Sequence, residues 1–258
     1  MKRKTRRILF WAAVLIFGLA SWIAVRYAQG YKYDFSASRF IRTGTISVTA
    51  NTSAKVFIDD KLVGTLSYFG NHDGQSGLLP GRYDVRLVRD GYSAWSKTVQ
   101  VQEGLVTDFS AVMLLPTDEA SLPALRTEAA ADFRTITALP AGAKTVTGGI
   151  WQLRGTDLWR IDGVASGSPV ARGVLGFQAL DDRVTWFSHN EVWVLWVRPT
   201  NDQPFRTAGQ QELVTRWSVP ILHAAWFRDH AHVVVDLGSQ GFRVIETDTR
   251  GGTNIVRF

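Results

Sequence analysis

The stretch ILFWAAVLIFGLASWIAV, from Ile8 to Val25, holds eighteen residues without a charge. A helix of that length rises about 27 Å, close to the thickness of the hydrocarbon core of a bilayer. Five basic residues in the seven positions before it predict that the N-terminus stays in the cytoplasm. A signal peptide cleaved after Ala20 and a buried soluble helix are the alternatives. The length and flanks of the run favour an uncleaved transmembrane anchor over 8–25, after a cytoplasmic tail over 1–7.

The charge balance and the absence of cysteine exclude several classes of function. Of 29 Lys and Arg residues, five precede the apolar run, which leaves 24 against 23 Asp and Glu. The chain beyond the run therefore lacks the surplus positive charge of a nucleic-acid-binding protein. Without cysteine there is no disulfide, thiolate metal site or cysteine nucleophile. Export without disulfides favours a bacterial envelope.

The next part of the chain divides by composition. Residues 26–42 show no clear period and are predicted to form a juxtamembrane stalk. From Gly44 onward, apolar and polar residues alternate in short runs separated by turns such as Pro80-Gly81 and Asp90-Gly91. Six or so short strands over 43–115 predict a small antiparallel β-sandwich.

Two stretches of this region, GTISVTANTSAKVFIDDKLVG and LLPGRYDVRLVRDGYSAWSKTVQVQEG, resemble a PEGA domain. The matching features are the strand opening at Gly44, the Val56–Asp59 strand with Gly64 after its turn, Leu79–Tyr83, Gly91-Tyr92 and Gly104. Two features depart from the family. Asn51–Ala54 replaces the tetrapeptide that names it, and Ser67–Gly77 replaces a short connection. The resemblance implies a β-sandwich of envelope-associated proteins and carries no catalytic residues.

Residues 116–143 are rich in Ala, Thr, Glu and Pro and are predicted to be a linker. Thr117 to Ala131 has the composition of a short helix, but Pro123 stands inside it as an obstacle. We therefore interpret the stretch as a linker between the sandwich and the rest of the chain, with a short helix as an alternative for part of it.

Residues 144–258 contain an internal repeat and seven of the ten Trp residues. Three stretches correspond to one another, and each follows a strand and a turn: Asp157–Ile161, Glu191–Leu195 and Gly241–Ile245. They resemble blades of the β-propellers found in Tol-type periplasmic proteins, which implies two to three blades. The predicted fold class is thus mainly β: an N-terminal transmembrane helix, a small PEGA-like antiparallel β-sandwich, and an incomplete β-propeller-like region.

The length of this region is short for a propeller. A closed ring needs about four to eight blades of about 40–50 residues, and 144–258 provides 115 residues. An open arc leaves unpaired strands and apolar faces at both ends. The residues expected to line such faces are Trp186, Trp193, Trp196, Trp226 and Phe242. We expect completion by another chain, including a homo-oligomer joined at the open edge, or a longer parent polypeptide; closure as a compact sandwich is the alternative.

Candidate contact residues lie in one loop and in the Trp series. The loop Ser67–Gly77 carries Tyr68, Phe69 and His72, which are predicted to contact a partner. In the alternative interpretation the loop is an elongated hairpin connection whose aromatic rings fold back onto the sandwich.

Three tryptophans, Trp186, Trp193 and Trp226, are further contact candidates, as stacking platforms for sugar rings; the alternative is a place in the core. His230 and His232 would put two imidazoles on one strand face, a pair that a metal ion can use. No third ligand at a compatible spacing is evident, so no metal site is predicted.

The sequence predicts no catalytic or cofactor-binding residues, because it has no Gly-rich phosphate loop, nucleophile elbow or HExxH motif. The expected function is therefore non-enzymatic. We expect a single-pass protein of the cell membrane whose extracytoplasmic β modules bind envelope protein or cell-wall polysaccharide, and no nucleic acid. The alternatives are a single-pass envelope sensor, which the seven-residue tail disfavours, and a propeller-based hydrolase of envelope glycans.

Overall fold

The computed structural model describes residues 3–35, 38–67, 72–163 and 168–258, and of His72 the backbone alone. The first element, helix α1, occupies Arg3–Ala28, and none of its side chains is buried. Within the described residues it is the one helix long and apolar enough to cross a membrane. At about 1.5 Å per residue it extends about 39 Å. The predicted apolar N-terminal helix is thus confirmed.

The predicted stalk, residues 26–42, is a β-hairpin for most of its length. Strand β1 (Tyr31–Asp34) pairs antiparallel with strand β2 (Arg39–Arg42). Gly30 turns the chain between α1 and β1 at φ +81°, a conformation that glycine adopts at little cost. The two strands have four residues each, too few to show a period in the sequence.

Two sheets form a sandwich from residues 44–112. The strands are β3 (Gly44–Ala50), β4 (Ala54–Ile58), β5 (Lys61–Leu66), β6 (His72–Leu78), β7 (Gly81–Val88), β8 (Trp95–Val101) and β9 (Val106–Val112). One sheet has the order β6-β3-β9, and the other has the order β5-β4-β7-β8. Strands β3 and β9 are parallel, so the prediction of an antiparallel sandwich is wrong for this pair. Inward side chains of both sheets, among them Val48, Leu87 and Trp95, form one buried cluster. The alternation in the sequence thus marks the faces that pack together.

Strand β6 lies where the sequence predicts a loop, so the interpretation of Ser67–Gly77 as an eleven-residue loop is wrong from residue 72 onward. β6 pairs antiparallel with β3. Its sequence, HDGQSGL, has no apolar alternation from which a strand is recognised. Gly74 comes so close to β3 that an added Cβ would lie 2.8 Å from the carbonyl oxygen of Ile46.

The predicted linker contains helix α2 (Leu122–Phe133). Pro123 lies in the first turn, where its missing N–H leaves no helical hydrogen bond unmade. The proline therefore opens the helix rather than obstructing it, which corrects the prediction. Leu125 and Ala129 are buried, so α2 is a packed element of the fold.

Three antiparallel sheets make up the rest of the chain. The first sheet consists of β11 (Thr145–Gly148), β12 (Trp151–Arg154) and β13 (Asp157–Arg160). The second consists of β10 (Thr137–Ala138), β14 (Gly176–Ala179), β15 (Arg183–Phe187), β16 (Glu191–Trp196) and β17 (Gln211–Arg216). The third consists of β18 (His223–Phe227), β19 (His232–Asp236), β20 (Phe242–Glu246) and β21 (Ile255–Arg257), with a 3₁₀ turn at Gly238–Gln240. The three sequence repeats are the hairpins β12–β13, β15–β16 and β19–β20, one in each sheet.

The three sheets pack against one another through apolar side chains. One buried cluster joins the first sheet, through Leu153, to the second, through Phe177. Another joins the second sheet, through Trp196, to the third, through Trp226. Among the described residues these sheets form no closed barrel or propeller ring. The fold is mainly β, as predicted, with several small sheets.

One end of this row of sheets is covered by other elements of the chain, and the other end has a mostly polar face. The expectation for an open arc was an apolar face at each end. The far face of the third sheet packs against α2 and the end of the sandwich, in a cluster that includes Leu115, Leu125 and Val244. The outward side chains of the first sheet are mostly polar, and they are Thr145, Thr147, Gln152, Arg154, Asp157 and Trp159. The aromatic residues expected on open end faces lie between sheets or, for Phe242, against Phe133 of α2.

Candidate functional site

A buried ion pair joins the sandwich to the third sheet. Lys97 lies on β8 in the inward-facing row between Trp95 and Val99. Its Nζ is 3.0 Å from Oε2 of Glu246 at the end of β20, and the two side chains are 0% and 5% exposed. A buried charge pair of this kind is strongly coupled, because either charge alone would be left in a poorly solvated site.

Further hydrogen bonds satisfy both charges. The carboxylate of Glu246 accepts hydrogen bonds from Trp95 Nε1 at 3.2 Å and from Asn254 Nδ2 at 2.9 Å. Lys97 Nζ donates to the carbonyl oxygen of Gly252 at 2.6 Å and to that of Asp248. The ammonium group therefore fastens the loop after β20 onto the edge of the sandwich.

Arg250 makes a second connection at the same junction. Its guanidinium is bidentate to Asp248, donates to Gln203 Oε1 at 2.6 Å and donates to the carbonyl oxygen of Asp108 on β9 at 2.6 Å. It also lies over the ring of Phe109, at 4.7 Å from the centroid. One side chain thus contacts the sandwich, the β16–β17 connection and the loop after β20.

Beside these contacts the sandwich and the repeat sheets leave a cleft of about 610 Å³. Its walls come from residues 109–111, 182–183, 198–204, 229–231 and 246–248, with Trp196 and Arg206. We call it the inter-module cleft. Its walls are about half polar and half apolar in surface, so it suits a ligand that carries hydrogen-bonding groups beside apolar ones.

A stack of three side chains forms one wall of the inter-module cleft. The indole of Trp196 lies between two guanidiniums: Arg183 is 4.2 Å and Arg206 is 4.3 Å from the ring centroid. Arg206 is buried; its Nε donates a bifurcated hydrogen bond to both carboxylate oxygens of Glu212, and its guanidinium also donates to the carbonyl oxygen of Thr247 at 2.8 Å. Cation–π contacts hold the indole of Trp196, and hydrogen bonds hold both guanidiniums.

Electrostatics hold the carboxylate of Asp182 in its charged form at the cleft. Arg183 donates two hydrogen bonds to it, and this contact lowers the pKa of Asp182 against the opposing effect of burial. Arg183 also donates to the carbonyl oxygen of His230 at 2.9 Å. The β15 and β19 ends of the cleft are thereby joined.

Two charged side chains of the cleft remain available to a ligand. Arg198 and Asp202 are exposed, and in the described part of the chain neither side chain makes an ion pair or a hydrogen bond. Asn201 lies exposed between them. The cleft therefore offers a donor, an acceptor and an amide that can serve as either.

His230 and His232 do not form the predicted pair on one strand face. His230 lies in the turn before β19 at φ +58°, a left-handed conformation that breaks the alternation of side chains. His232 is buried, and its Nδ1 is 3.0 Å from both carboxylate oxygens of Asp229. Among the described residues no group of three or more potential metal ligands occurs.

The residues predicted to contact a partner are not brought together. Tyr68 and Phe69 lie outside the described residues, as does the side chain of His72. Trp186 and Trp226 are 4% and 2% exposed and belong to clusters between sheets, as the alternative core interpretation has it. Trp193 is half-buried, stacks on Trp186 with a centroid distance of 6.5 Å, and donates to Glu191 at 2.8 Å.

The residues that shape the cleft were not identified from the sequence. One signal was present: Lys97 occupies an inward position between Trp95 and Val99, and a charge in such a row needs a buried partner. That partner, Glu246, lies 149 positions later in the chain, where no local pattern connects the two.

No protein-family model matches the sequence, and no curated protein matches it. Among solved structures the chain is similar to Kluyveromyces lactis Hsv2, with 11% identity and a TM-score of 0.27 over 83% of this chain and 64% of that one. A second structure, of K. lactis Hsv2 with complete loop 6CD, gives 12% identity and a TM-score of 0.26 over 69% and 57%. The chain thus spans less than two thirds of these structures, and the likeness is too low to assign a fold.

Proposed function

We propose that this protein is a membrane-anchored binding protein whose extracytoplasmic body holds an envelope polymer, either protein or cell-wall polysaccharide, in the inter-module cleft. The observation that carries the proposal is that the same chain has an apolar helix, α1, long enough to cross a membrane and a cleft that Lys97–Glu246 fixes. This cleft still offers unpaired polar groups. The anchor confines the body to the membrane surface, and the cleft gives it a place for a ligand.

The distribution of charge supports the orientation of the anchor. Five basic residues occupy the seven positions before Ile8, and four basic residues against one Asp occupy the seventeen positions 26–42. The denser positive flank is retained in the cytoplasm. The body, residues 43–258, then lies outside.

The chemistry of the cleft supports a polar ligand. Arg198 and Asp202 present opposite charges at its rim, and Asn201 adds an amide. Hydroxyl, amide and carboxylate groups occur in both polysaccharides and peptides, and each finds a complementary group here. A ligand that binds such groups gains specificity because unmatched groups would lose their hydrogen bonds to water.

The module types remain part of the proposal. The seven-stranded sandwich supports the PEGA-like assignment, and the three antiparallel sheets that each contain one repeat support propeller-like blades. In this proposal the blades need no further chain to cover their ends, because α2 covers one end and the other is polar.

Cross-linking from the cleft tests the proposal, because the chain has no native cysteine. Asn201→Cys carries a photoactivatable cross-linker in intact cells, and Thr145→Cys, exposed on the outer face of the first sheet, is the matched control. We expect one major product, protein or glycan, from position 201 and none in common with position 145. The same products from both positions would contradict the proposal, and turnover of isolated envelope glycans by the purified protein would favour the hydrolase alternative.

A further inference from the structure

The β1–β2 hairpin folds back along the membrane-proximal end of α1. The rings of Trp22 on α1 and Phe40 on β2 make an edge contact, with centroids 5.3 Å apart. The guanidinium of Arg26 lies 5.5 Å from the Trp22 ring and 4.9 Å from the Tyr31 ring on β1. The hairpin therefore contacts the helix at two levels.

These two contacts fix the direction of the hairpin. Trp22 lies four residues N-terminal to Arg26, which is about 6 Å along the helix axis toward the apolar run. From Tyr31 to Tyr33 strand β1 advances two residues, about 6.6 Å. Because Tyr33 is the register partner of Phe40, the hairpin runs antiparallel to the helix, toward the apolar run that ends at Val25. Trp22, and hence Phe40, lies at a depth inside that run.

The far end of the hairpin exposes an aromatic ring at this depth. Phe35 is 87% exposed and packs edge-on against Tyr33 with centroids 5.0 Å apart. Tyr33 in turn contacts Phe40, at 5.3 Å. An exposed phenylalanine is unfavourable in water, whereas aromatic rings are favoured at the boundary between lipid and water.

The charge of the hairpin complements a lipid surface. The hairpin, residues 31–42, contains three basic residues, Lys32, Arg39 and Arg42, against Asp34, which gives a net charge of three minus one, or +2, and Arg26 of α1 adds a positive charge beside it. Basic residues beside a membrane segment are attracted to anionic headgroups. Of these cations, Lys32 and Arg42 lie on the body side of the Tyr33–Phe40 pair, where headgroups are expected, whereas Arg39 is opposite Asp34 in the register beyond that pair.

The base of the hairpin is tied to the sandwich. The backbone N–H of Arg42 donates to Glu103 Oε1 at 3.2 Å. Thr43 donates to the carbonyl oxygen of Gly30 through its N–H and its hydroxyl, at 2.8 Å each. The bond from Arg42 to Glu103 connects the hairpin to the loop between β8 and β9, and the bonds from Thr43 close the hairpin base onto the end of α1.

We propose that the hairpin, through residues 31–35 and 38–42, is a second membrane-contacting element that inserts its aromatic rings into the interfacial layer, binds anionic headgroups, and orients the body on the membrane. This inference rests on the proposed anchoring of α1, since the hairpin is measured against that helix. It assigns a lipid-binding surface to the region that the sequence predicts to be a juxtamembrane stalk.

Spin-label accessibility in the full-length chain tests the inference. Single cysteines replace Phe35, Leu15 in the middle of α1, and Ile150, an exposed aliphatic residue in the turn between β11 and β12. Each labelled protein is placed in nanodiscs with an anionic lipid fraction. Oxygen partitions into lipid and a charged nickel chelate stays in water, so the ratio of the two accessibilities reports depth.

We expect Phe35→Cys to shift from the ratio of Ile150→Cys toward that of Leu15→Cys. Equal ratios at positions 35 and 150, with position 15 in lipid, would overturn the inference and leave the anchor standing. A water-exposed label at position 15 would overturn both.

A second variant tests whether the Phe40–Trp22 contact holds the end of the hairpin in lipid. Phe40→Ala removes the contact with Trp22 and leaves the charges in place. In the Phe35→Cys background we expect it to shift the label toward water, while the label at position 15 does not move. An unchanged ratio at position 35 would contradict the role assigned to the Phe40–Trp22 contact.

Discussion

A lysine in the apolar row of a strand is the residue on which the geometry of the cleft depends. Lys97 enters the sandwich edge between Trp95 and Val99 and meets Glu246 from the third sheet. Replacing such a pair by apolar residues is often neutral, but losing one partner leaves a buried charge. The pair therefore fixes the position of β8 of the sandwich relative to β20 of the third sheet.

Lys97→Met is expected to lower the free energy of unfolding by about 3–5 kcal/mol, because it leaves Glu246 charged and buried. Lys97→Met combined with Glu246→Gln should recover most of the loss, since the amide oxygen of the double variant still accepts from Trp95 and Asn254. Urea denaturation of the solubilised chain measures both values. Lys61→Met, at an exposed position on β5, is the control. A loss no larger than that of the control would show that the pair does not hold the junction.

At this scale the sequence is informative about one partner at a time. The inward position of Lys97 was visible in the alternation of β8, and the aromatic character of Trp196 was visible in its repeat. The contacts of Lys97 with Glu246, and of Arg250 with Asp108, join positions more than 140 residues apart. Such pairs depend on how the sheets pack, which no local period encodes.

At the scale of single elements, helix α2 covers the apolar far face of the third sheet. It covers the far face of the third sheet through Leu125 and Ala129, in a cluster that includes Phe227 and Val244. Without it the sheet would expose an apolar surface of the kind that causes association. The helix thus covers one of the two end faces that the sequence predicted to be apolar and open.

Leu125→Ala is expected to destabilise the chain by about 2–5 kcal/mol, because it opens a cavity under α2. We also expect it to increase binding of a hydrophobic dye before the unfolding transition. Arg126→Ala, one position along on the exposed side of the helix, should change neither quantity. Equal stability of the two variants would show that α2 is not a packed cover.

The negative charge of Asp132, in the last turn of α2, lowers the stability of the folded state, and this effect depends on pH. Burial, and then the nearby Glu128, raise its pKa, and its Oδ2 has no hydrogen-bond partner among the described residues. A carboxyl with a raised folded-state pKa favours the folded state below its unfolded pKa, and this stability is lost as pH rises through the folded pKa. The negative charge also opposes the helix dipole.

Asp132→Asn is therefore expected to stabilise the protein by about 0.5–1 kcal/mol at pH 7 and to have no effect near pH 3. Thermal unfolding across this pH interval measures the difference. Glu119→Gln, an exposed acid before the helix, serves as the control. A gain that persists at pH 3 would assign the effect to something other than the charge.

Elements were predictable where alternation or turn chemistry was strong, as in β3, β4, β7 and β8. Strand β6 was not predictable, because HDGQSGL pairs through its backbone and buries few side chains. Helix α2 was recognisable, since a proline in the first turn is a helix-starting signal rather than an obstacle.

At the scale of the whole molecule, the row of three sheets and the sandwich form one continuous body. The end of the sandwich, through Met113 and Leu115, belongs to the same apolar cluster as the third sheet. The repeat in the sequence predicts hairpins in three sheets, whereas the polar outer face of the first sheet, with Thr145, Thr147 and Arg154, was not predicted. The position of the sandwich on the third sheet could not be predicted, because its contacts, such as Lys97 with Glu246, join residues that are far apart in the sequence.

The most direct test of this account is whether the sandwich and the repeat sheets unfold together. A fluorophore on Leu62→Cys, at the exposed edge of β5, reports the sandwich, and one on Ile150→Cys reports the first sheet. In urea denaturation of the full chain we predict coincident midpoints for both probes, and separate midpoints once Lys97→Met is introduced. Separate midpoints in the unsubstituted background would contradict a single body, and with it a cleft fixed between the two modules.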